Sequence, residues 1–235
     1  MDCGRRKIIY FMQKKLTLAL VFMVAIIHSS NGQSEGKGKS GKWARGTVVG
    51  GGISRFKIKE TNWRQTTYKD SLNSVKPEGS GAVTFGFLLR YQMGAMIALR
   101  TKLQLSIEGG RMIYERKTFK ETIKAPNVYL DFPVHFTLHQ PNKAASPYLI
   151  LGSTIRFGLG NDPKVEEILP TKQFTITADL GAGIEFRQKT YIIAPEVYYS
   201  RGMTNIKGSI NNLYNNVLES SRKQGFYLAL NFRSL

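Results

Sequence analysis

The chain has 235 residues, 42% of them hydrophobic and 21% charged, with a formal net charge of +18 at pH 7. That apolar content offsets the entropy of a folded chain, which excludes extended disorder, and the length suits one domain. With Cys3 as the single cysteine, a disulfide framework and a thiolate metal cluster are excluded as well.

In chain order, Arg5, Arg6, Lys7, Lys14 and Lys15 precede an apolar run over 16–27, and Ser29, Ser30, Asn31 and Gly32 follow it. This is the layout of a secretory signal peptide, and the run is too short to anchor a helix in a bilayer. Cleavage is expected after Gly32, making residues 1–32 the leader; Met12 is an alternative start that would give a leader of more ordinary length. Cys3 stands before the apolar run, so it cannot be a lipid-acceptor cysteine, and the mature chain has no cysteine. Beyond residue 32 there are 29 Lys and Arg against 15 Asp and Glu, a balance of +14. An exported protein does not meet nucleic acid; polyanionic glycolipid and acidic headgroups are the partners such a charge would find. The alternative reading is that the basic residues keep loops soluble.

A Gly/Lys/Ser stretch without periodicity follows and reads as a flexible periplasmic tail over 33–44. From residue 45 onward the period is two. In 81–92, Val83, Phe85, Phe87, Leu89 and Tyr91 oppose Thr84, Gly86, Leu88, Arg90 and Gln92. In 130–139, Leu130, Phe132, Val134, Phe136 and Leu138 oppose Asp131, Pro133, His135, Thr137 and His139. The clearest dyad is 174–187, where seven apolar residues from Phe174 to Phe186 face away from Asp179, Gly181, Gly183 and Glu185. The last strand sets Phe226, Leu228, Leu230 and Phe232 against Tyr227, Ala229 and Asn231. Less regular segments fall at 45–57, 103–114, 148–159 and 191–200. Alternation of this kind needs an apolar solvent on one side and a polar interior on the other.

Eight segments of bilayer-crossing length predict an all-β chain, a single eight-stranded antiparallel transmembrane β-barrel over 45–235. The connections agree. Those at 58–80, 115–127, 160–173 and 201–224 are long, those at 93–102, 140–147 and 188–190 short, as expected for external loops and periplasmic turns. Both chain ends then face the periplasm. Tyr91, Tyr114, Tyr148, Phe157, Phe186, Tyr191 and Tyr199 lie toward strand ends and are candidates for interfacial girdles.

The inward faces would bring together Arg90, Glu108, Asp131, Arg156, Asp179, Glu185 and Glu196, with His135 and His139 nearby. Eight strands leave a lumen that side chains fill, so these residues are expected to form a structural, salt-bridged plug. A narrow conduit or an acid–base pair is the functional alternative. Asp131, His135 and His139 spread over about 13 Å of strand, too far for one metal ion. No catalytic, cofactor or metal site is expected. The run Gly50, Gly51 and Gly52 lacks the helix and Lys-Ser/Thr pair of a phosphate loop and reads as a place of tight strand packing. Pro133 and Pro195 each remove a ladder hydrogen bond, which calls for a bulge or a strand end.

From Asn127 onward the segments NVYLDFPVHFTLH, SPYLILGSTIRFGL, ITADLGAGIEF, YIIAPEVYYSRGMTNI and FYLALNF resemble the PorT-type outer-membrane barrels of the Bacteroidetes group. The shared features are Asp131-Phe132-Pro133, Pro147-Tyr148 with Gly152, Gly181 with Gly183, and Pro195-Glu196 with Gly202. The resemblance covers about the C-terminal half and consists of strand and turn signatures. It implies an eight-stranded barrel in the outer membrane of a Gram-negative bacterium and a non-enzymatic part in type IX protein secretion and gliding motility. The partners it implies are outer-membrane lipid and glycolipid, and other outer-membrane or periplasmic secretion-machinery proteins. The chain ends Phe232, Arg233, Ser234, Leu235, without the terminal aromatic residue common in such barrels. A small porin, and a lipid-modifying barrel acting at its rim, are the alternative functions.

Overall fold

The computed structural model describes residues 43–61, 74–115, 120–124, 127–140, 145–159, 172–207 and 216–234. The leader over 1–32 and most of the tail lie outside them; the first strand starts at Trp43, two residues before the expected boundary.

Eight strands close into an antiparallel barrel: β1 (Trp43–Glu60), β3 (Ser80–Gln92), β4 (Ile97–Glu108), β7 (Asn127–His139), β8 (Ala145–Gly158), β9 (Phe174–Arg187), β10 (Tyr191–Gly202) and β11 (Leu218–Ser234). Around the wall they run β1-β11-β10-β9-β8-β7-β4-β3, and β3 pairs back onto β1. Closure leaves no free edge, the condition for a sheet in hydrocarbon, where unpaired N–H and C=O groups find no water. The dyad period sets the facing. Leu228 is 67% exposed on the outer wall, whereas its neighbour Tyr227 is 3% exposed inside. Ile53, Val83, Leu149, Leu180 and Val197 continue the outer apolar band.

Short connections at 93–96 and 188–190 lie at one end with both ends of the described chain; long ones lie at the other. The expected strand at 103–114 and turn at 93–102 are corrected: β4 begins at Ile97 and ends at Glu108. Its first half carries Arg100 and Lys102, which look like turn residues until they are seen as every second residue of one inward face. The last strand also starts earlier than 226, at Leu218.

Three strands were not foreseen. β2 (Ser74–Glu78), β5 (Arg111–Glu115) and β6 (Lys120–Lys124) form a separate antiparallel sheet in the order β2-β5-β6. β2 and β5 prolong the β3/β4 pair beyond the barrel, with Glu78 opposite Arg111 and Ala82 opposite Glu108; the register shifts by one residue between them, across Gly79 and Gly109-Gly110. A small apolar core joins this sheet to the long ends of β1 and β11: Phe56, Val75, Met112, Tyr114, Ile206, Val217 and Leu218 are all buried together. Tyr114 therefore belongs to an external cap, not to a girdle. Tyr148 points inward, 3% exposed, and is likewise no girdle residue. Trp43 packs at a tilt on Tyr91 (4.6 Å) at one rim, where Tyr191 also faces outward; Phe157 packs on Phe132 and Phe174 (5.8 and 5.4 Å) at the other. Two aromatic belts result.

The glycine run of β1 packs as tightly as expected. A side chain on inward Gly52 would start 2.8 Å from the Tyr227 ring and closer still to the Phe226 carbonyl, so only glycine lets Tyr227 lie against β1. The two awkward prolines share one solution. Pro133 pairs with Thr154 on the β8 side, while the β4/β7 register skips from Thr101–Val134 to Gln104–Asp131. Pro195 pairs with Leu230 on the β11 side, while the β9/β10 register skips from Ile193–Phe186 to Glu196–Gly183. Each proline interrupts one ladder and leaves the other whole. No bulge or strand end is needed.

Candidate functional site: the filled lumen

All seven inward residues read from the sequence, Arg90, Glu108, Asp131, Arg156, Asp179, Glu185 and Glu196, are buried within the barrel. They do not form one cluster. Carboxylates are spread along the barrel axis, each with several donors, and Glu108 and Asp131 share Arg156.

At the capped end, Glu108 accepts from Arg156 Nη2 (2.5 Å) and Tyr227 Oη (2.9 Å) and pairs with Lys223 Nζ (2.6 Å). Arg156 also spans Asp131 with Nε at 3.0 Å and Nη2 at 2.8 Å, and Ser106 donates to the same carboxylate at 2.5 Å. Tyr129 lies beneath both cations, its ring centre 5.0 Å from the Arg156 guanidinium and 4.7 Å from Lys223 Nζ. Farther along, Asp179 holds four neighbours: His135 Nε2 (3.1 Å), Thr154 Oγ1 (2.5 Å), Thr177 Oγ1 (2.9 Å) and Ser200 Oγ (2.6 Å). Toward the short-turn end, Glu196 accepts from Arg100, from Lys102 Nζ (3.2 Å) and from Tyr148 Oη (2.6 Å). Nearest that end, Glu185 accepts from Arg233 Nη2 (2.5 Å) and faces His139 Nδ1 (3.6 Å). Tyr198 and Tyr227 stack across the middle with centroids 5.2 Å apart.

Charge nearly balances in this interior. Arg90, Arg100, Lys102, Arg156, Lys223 and Arg233 face Glu108, Asp131, Asp179, Glu185 and Glu196. Desolvating an ion costs several kcal/mol, and only multiple close partners offset it. Arg90 is the surplus cation: its Nη2 lies 3.2 Å from His139 Nε2, and its Nε has no hydrogen-bond partner among the described residues.

Sequence reading missed Arg100, Lys102, Lys223 and Arg233. The signal was present for the first two as the alternation Ala98, Arg100, Lys102, Gln104, Ser106, Glu108, all buried. It was present for the last two as the continuation of the Tyr227–Ala229–Asn231 face in both directions.

The chemistry open to this arrangement is narrow. Ser200, Asp179 and His135 lie together, but Asp179 stands between the other two, so Ser200 donates to the carboxylate and not to the imidazole, the reverse of a Ser-His-Asp order. His135 and His139 serve different carboxylates. Among the described residues no group of three or more His, Cys, Asp or Glu could hold a metal ion.

No family model and no curated protein matches the chain. Among solved structures, the outer membrane protein OprG from Pseudomonas aeruginosa aligns with TM-score 0.44 and 12% identity, over 83% of this chain and 97% of that one. Neisserial surface protein A aligns with TM-score 0.39 and 9% identity, over 79% and 95%. The outer membrane enzyme PagL aligns with TM-score 0.38 and 10% identity, over 80% and 98%. The strand pairing itself gives the fold, a closed eight-stranded antiparallel barrel.

Proposed function

We propose that this protein is a non-enzymatic, non-conducting barrel of the outer membrane that works through contacts of its external cap and rim with partner proteins, as a component of the type IX secretion and gliding motility apparatus. One observation carries the first half: the lumen is filled by buried ion pairs, and at its loop end a packed apolar core of seven residues holds the external sheet to the wall. A barrel built as a pore leaves a polar channel; this one spends its inward positions on a plug. The three-stranded sheet beyond the bilayer supplies a rigid surface that a transport role does not call for. The secretion assignment rests on the resemblance of the segments from Asn127 onward to the PorT type.

The test is genetic. A strain of the native host lacking this chain is expected to lose export of type IX cargo and surface spreading. Restoration should follow from the unaltered gene and not from a variant with Lys76→Glu and Arg111→Glu, which reverses two exposed charges of the external sheet while leaving the barrel to insert. Normal cargo export in the deletion strain would remove this protein from the apparatus.

A further inference from the structure

Where the apolar band ends on the outer wall, three neighbouring strands change character at the same height. On β1 the outward residues run Val49, Gly51, Ile53, then Arg55 and Lys57; on β11 they run Leu228, Phe226, then Gln224 and Arg222; on β10 they run Val197, Tyr199, then Arg201. Register makes the boundary level. Ile53 lies opposite Phe226 and Phe226 opposite Tyr199, and the next outward step sets Gln224 between Arg55 and Arg201, and Lys57 directly opposite Arg222.

Four outward cations thus stand in one patch above the Tyr199–Phe226 aromatic pair, whose ring centres are 4.8 Å apart. Like charges placed directly across an antiparallel pair are destabilising, so Lys57 and Arg222 sit where the fold alone gains nothing from them. Among the described residues none of the four forms a salt bridge with a carboxylate, whereas Lys59, one step farther out, pairs with Glu219 at 2.8 Å. One of the four is held in place. With the Gln224 amide turned so that its nitrogen donates to Tyr199 Oη (3.1 Å), its oxygen accepts from Arg55 Nε at 3.0 Å and Nη2 at 3.3 Å. A girdle tyrosine thereby orients an arginine at the level where lipid headgroups begin.

We propose that Arg55, Lys57, Arg201 and Arg222 form a binding site for the phosphate groups of a phosphorylated glycolipid of the outer leaflet, whose acyl chains lie along Ile53, Phe226, Tyr199 and Val197. The site rests on the reading of the chain as an outer-membrane barrel with its long loops outside. Arginine offers paired N–H donors that match a phosphate, and a doubly phosphorylated headgroup can answer several cations at once. The patch is on strand ends, so the barrel scaffold preorganises it.

The experiment uses the full mature protein refolded in detergent, with three probes: diphosphorylated lipid A, the same lipid dephosphorylated, and phosphatidylglycerol. Native mass spectrometry and a binding titration are expected to show retention of diphosphorylated lipid A. Affinity should fall about tenfold for each of Lys57→Gln and Arg222→Gln, the loss expected for one charge-assisted contact. These neutral variants should resist denaturant at least as well as the parent when no lipid is added, because each relieves a like-charge pair. Equal binding of the dephosphorylated lipid overturns the site, as does binding of phosphatidylglycerol as tight as that of lipid A, or full affinity in the Lys57→Gln/Arg222→Gln double variant. Failure of the barrel reading is a separate result: the parent protein would then show no heat-dependent shift in gel migration.

Discussion

At the scale of single residues, the interior is governed by an asymmetry between removing a charge and removing a pair. Glu196 receives Arg100, Lys102 and Tyr148. Glu196→Leu leaves two buried cations without their carboxylate, at a cost of about 3–5 kcal/mol by analogy with other broken buried pairs. The expected outcome is a large fall in the urea midpoint of unfolding in detergent, with the charge-conserving Glu196→Asp falling less. A midpoint unchanged in Glu196→Leu would mean that the plug contributes nothing to stability. Legibility at this scale was uneven. Asp131, Asp179 and Glu185 were readable because they stand on the polar face of strands whose other face is unbroken and apolar. Arg100 and Lys102 were not, because they fall inside the expected turn over 93–102, and polarity alone does not tell a turn from an inward strand face.

At the scale of elements, the two prolines and the external sheet set what the strands can do. Pro195 faces the hydrocarbon, and its missing N–H coincides with the interrupted β9/β10 ladder. Pro195→Val restores a donor without adding a polar group to the lipid face, and is expected to gain on the order of 1 kcal/mol. Hydrogen exchange should show a newly protected amide at residue 195; an amide that exchanges freely would place the cause of the gap elsewhere, in Gly183 for instance. That glycine has the Tyr148 hydroxyl 2.6 Å from where its side chain would begin, so β9 is already shaped around the lumen there. The external sheet depends on Tyr114, which is fully buried in the cap. Removing a large buried aromatic side chain costs about 3–5 kcal/mol, more than so small a cluster holds in reserve. Tyr114→Ala is therefore expected to make the segment 109–126 sensitive to protease added outside intact cells while heat-modifiable migration of the barrel persists. Loss of the barrel itself would show that cap and wall unfold as one unit.

At the scale of the molecule, paired side chains fill the lumen from one end to the other. Planar bilayers containing the refolded protein should show no stepwise conductance in symmetric salt, and Arg90→Ala should not create one, since three further layers of paired side chains remain. Stable openings of fixed size in the parent protein would favour the porin alternative. Outward, the same molecule carries an apolar band, two aromatic belts and a cationic patch above one of them, each at its own height. That ordering is the profile of a bilayer written onto the wall.

The sequence by itself determined the barrel: its eight wall strands, the inward placement of seven charged residues, and the alternation of short and long connections follow from a period of two and from turn chemistry, both local properties. It also determined that the inside is charged. The tertiary structure alone decided which charge meets which, because Glu108 and Tyr227 or Arg100 and Glu196 become neighbours only when the sheet closes with a particular register. It alone decided that two connections and the end of an expected strand build a second sheet, since short strands need a partner surface to be stable and that surface comes from distant ends of β1 and β11. Closure likewise brought Arg55 and Arg201 to one height on either side of Gln224, and Lys57 opposite Arg222, from opposite ends of the chain, a juxtaposition that no local pattern encodes.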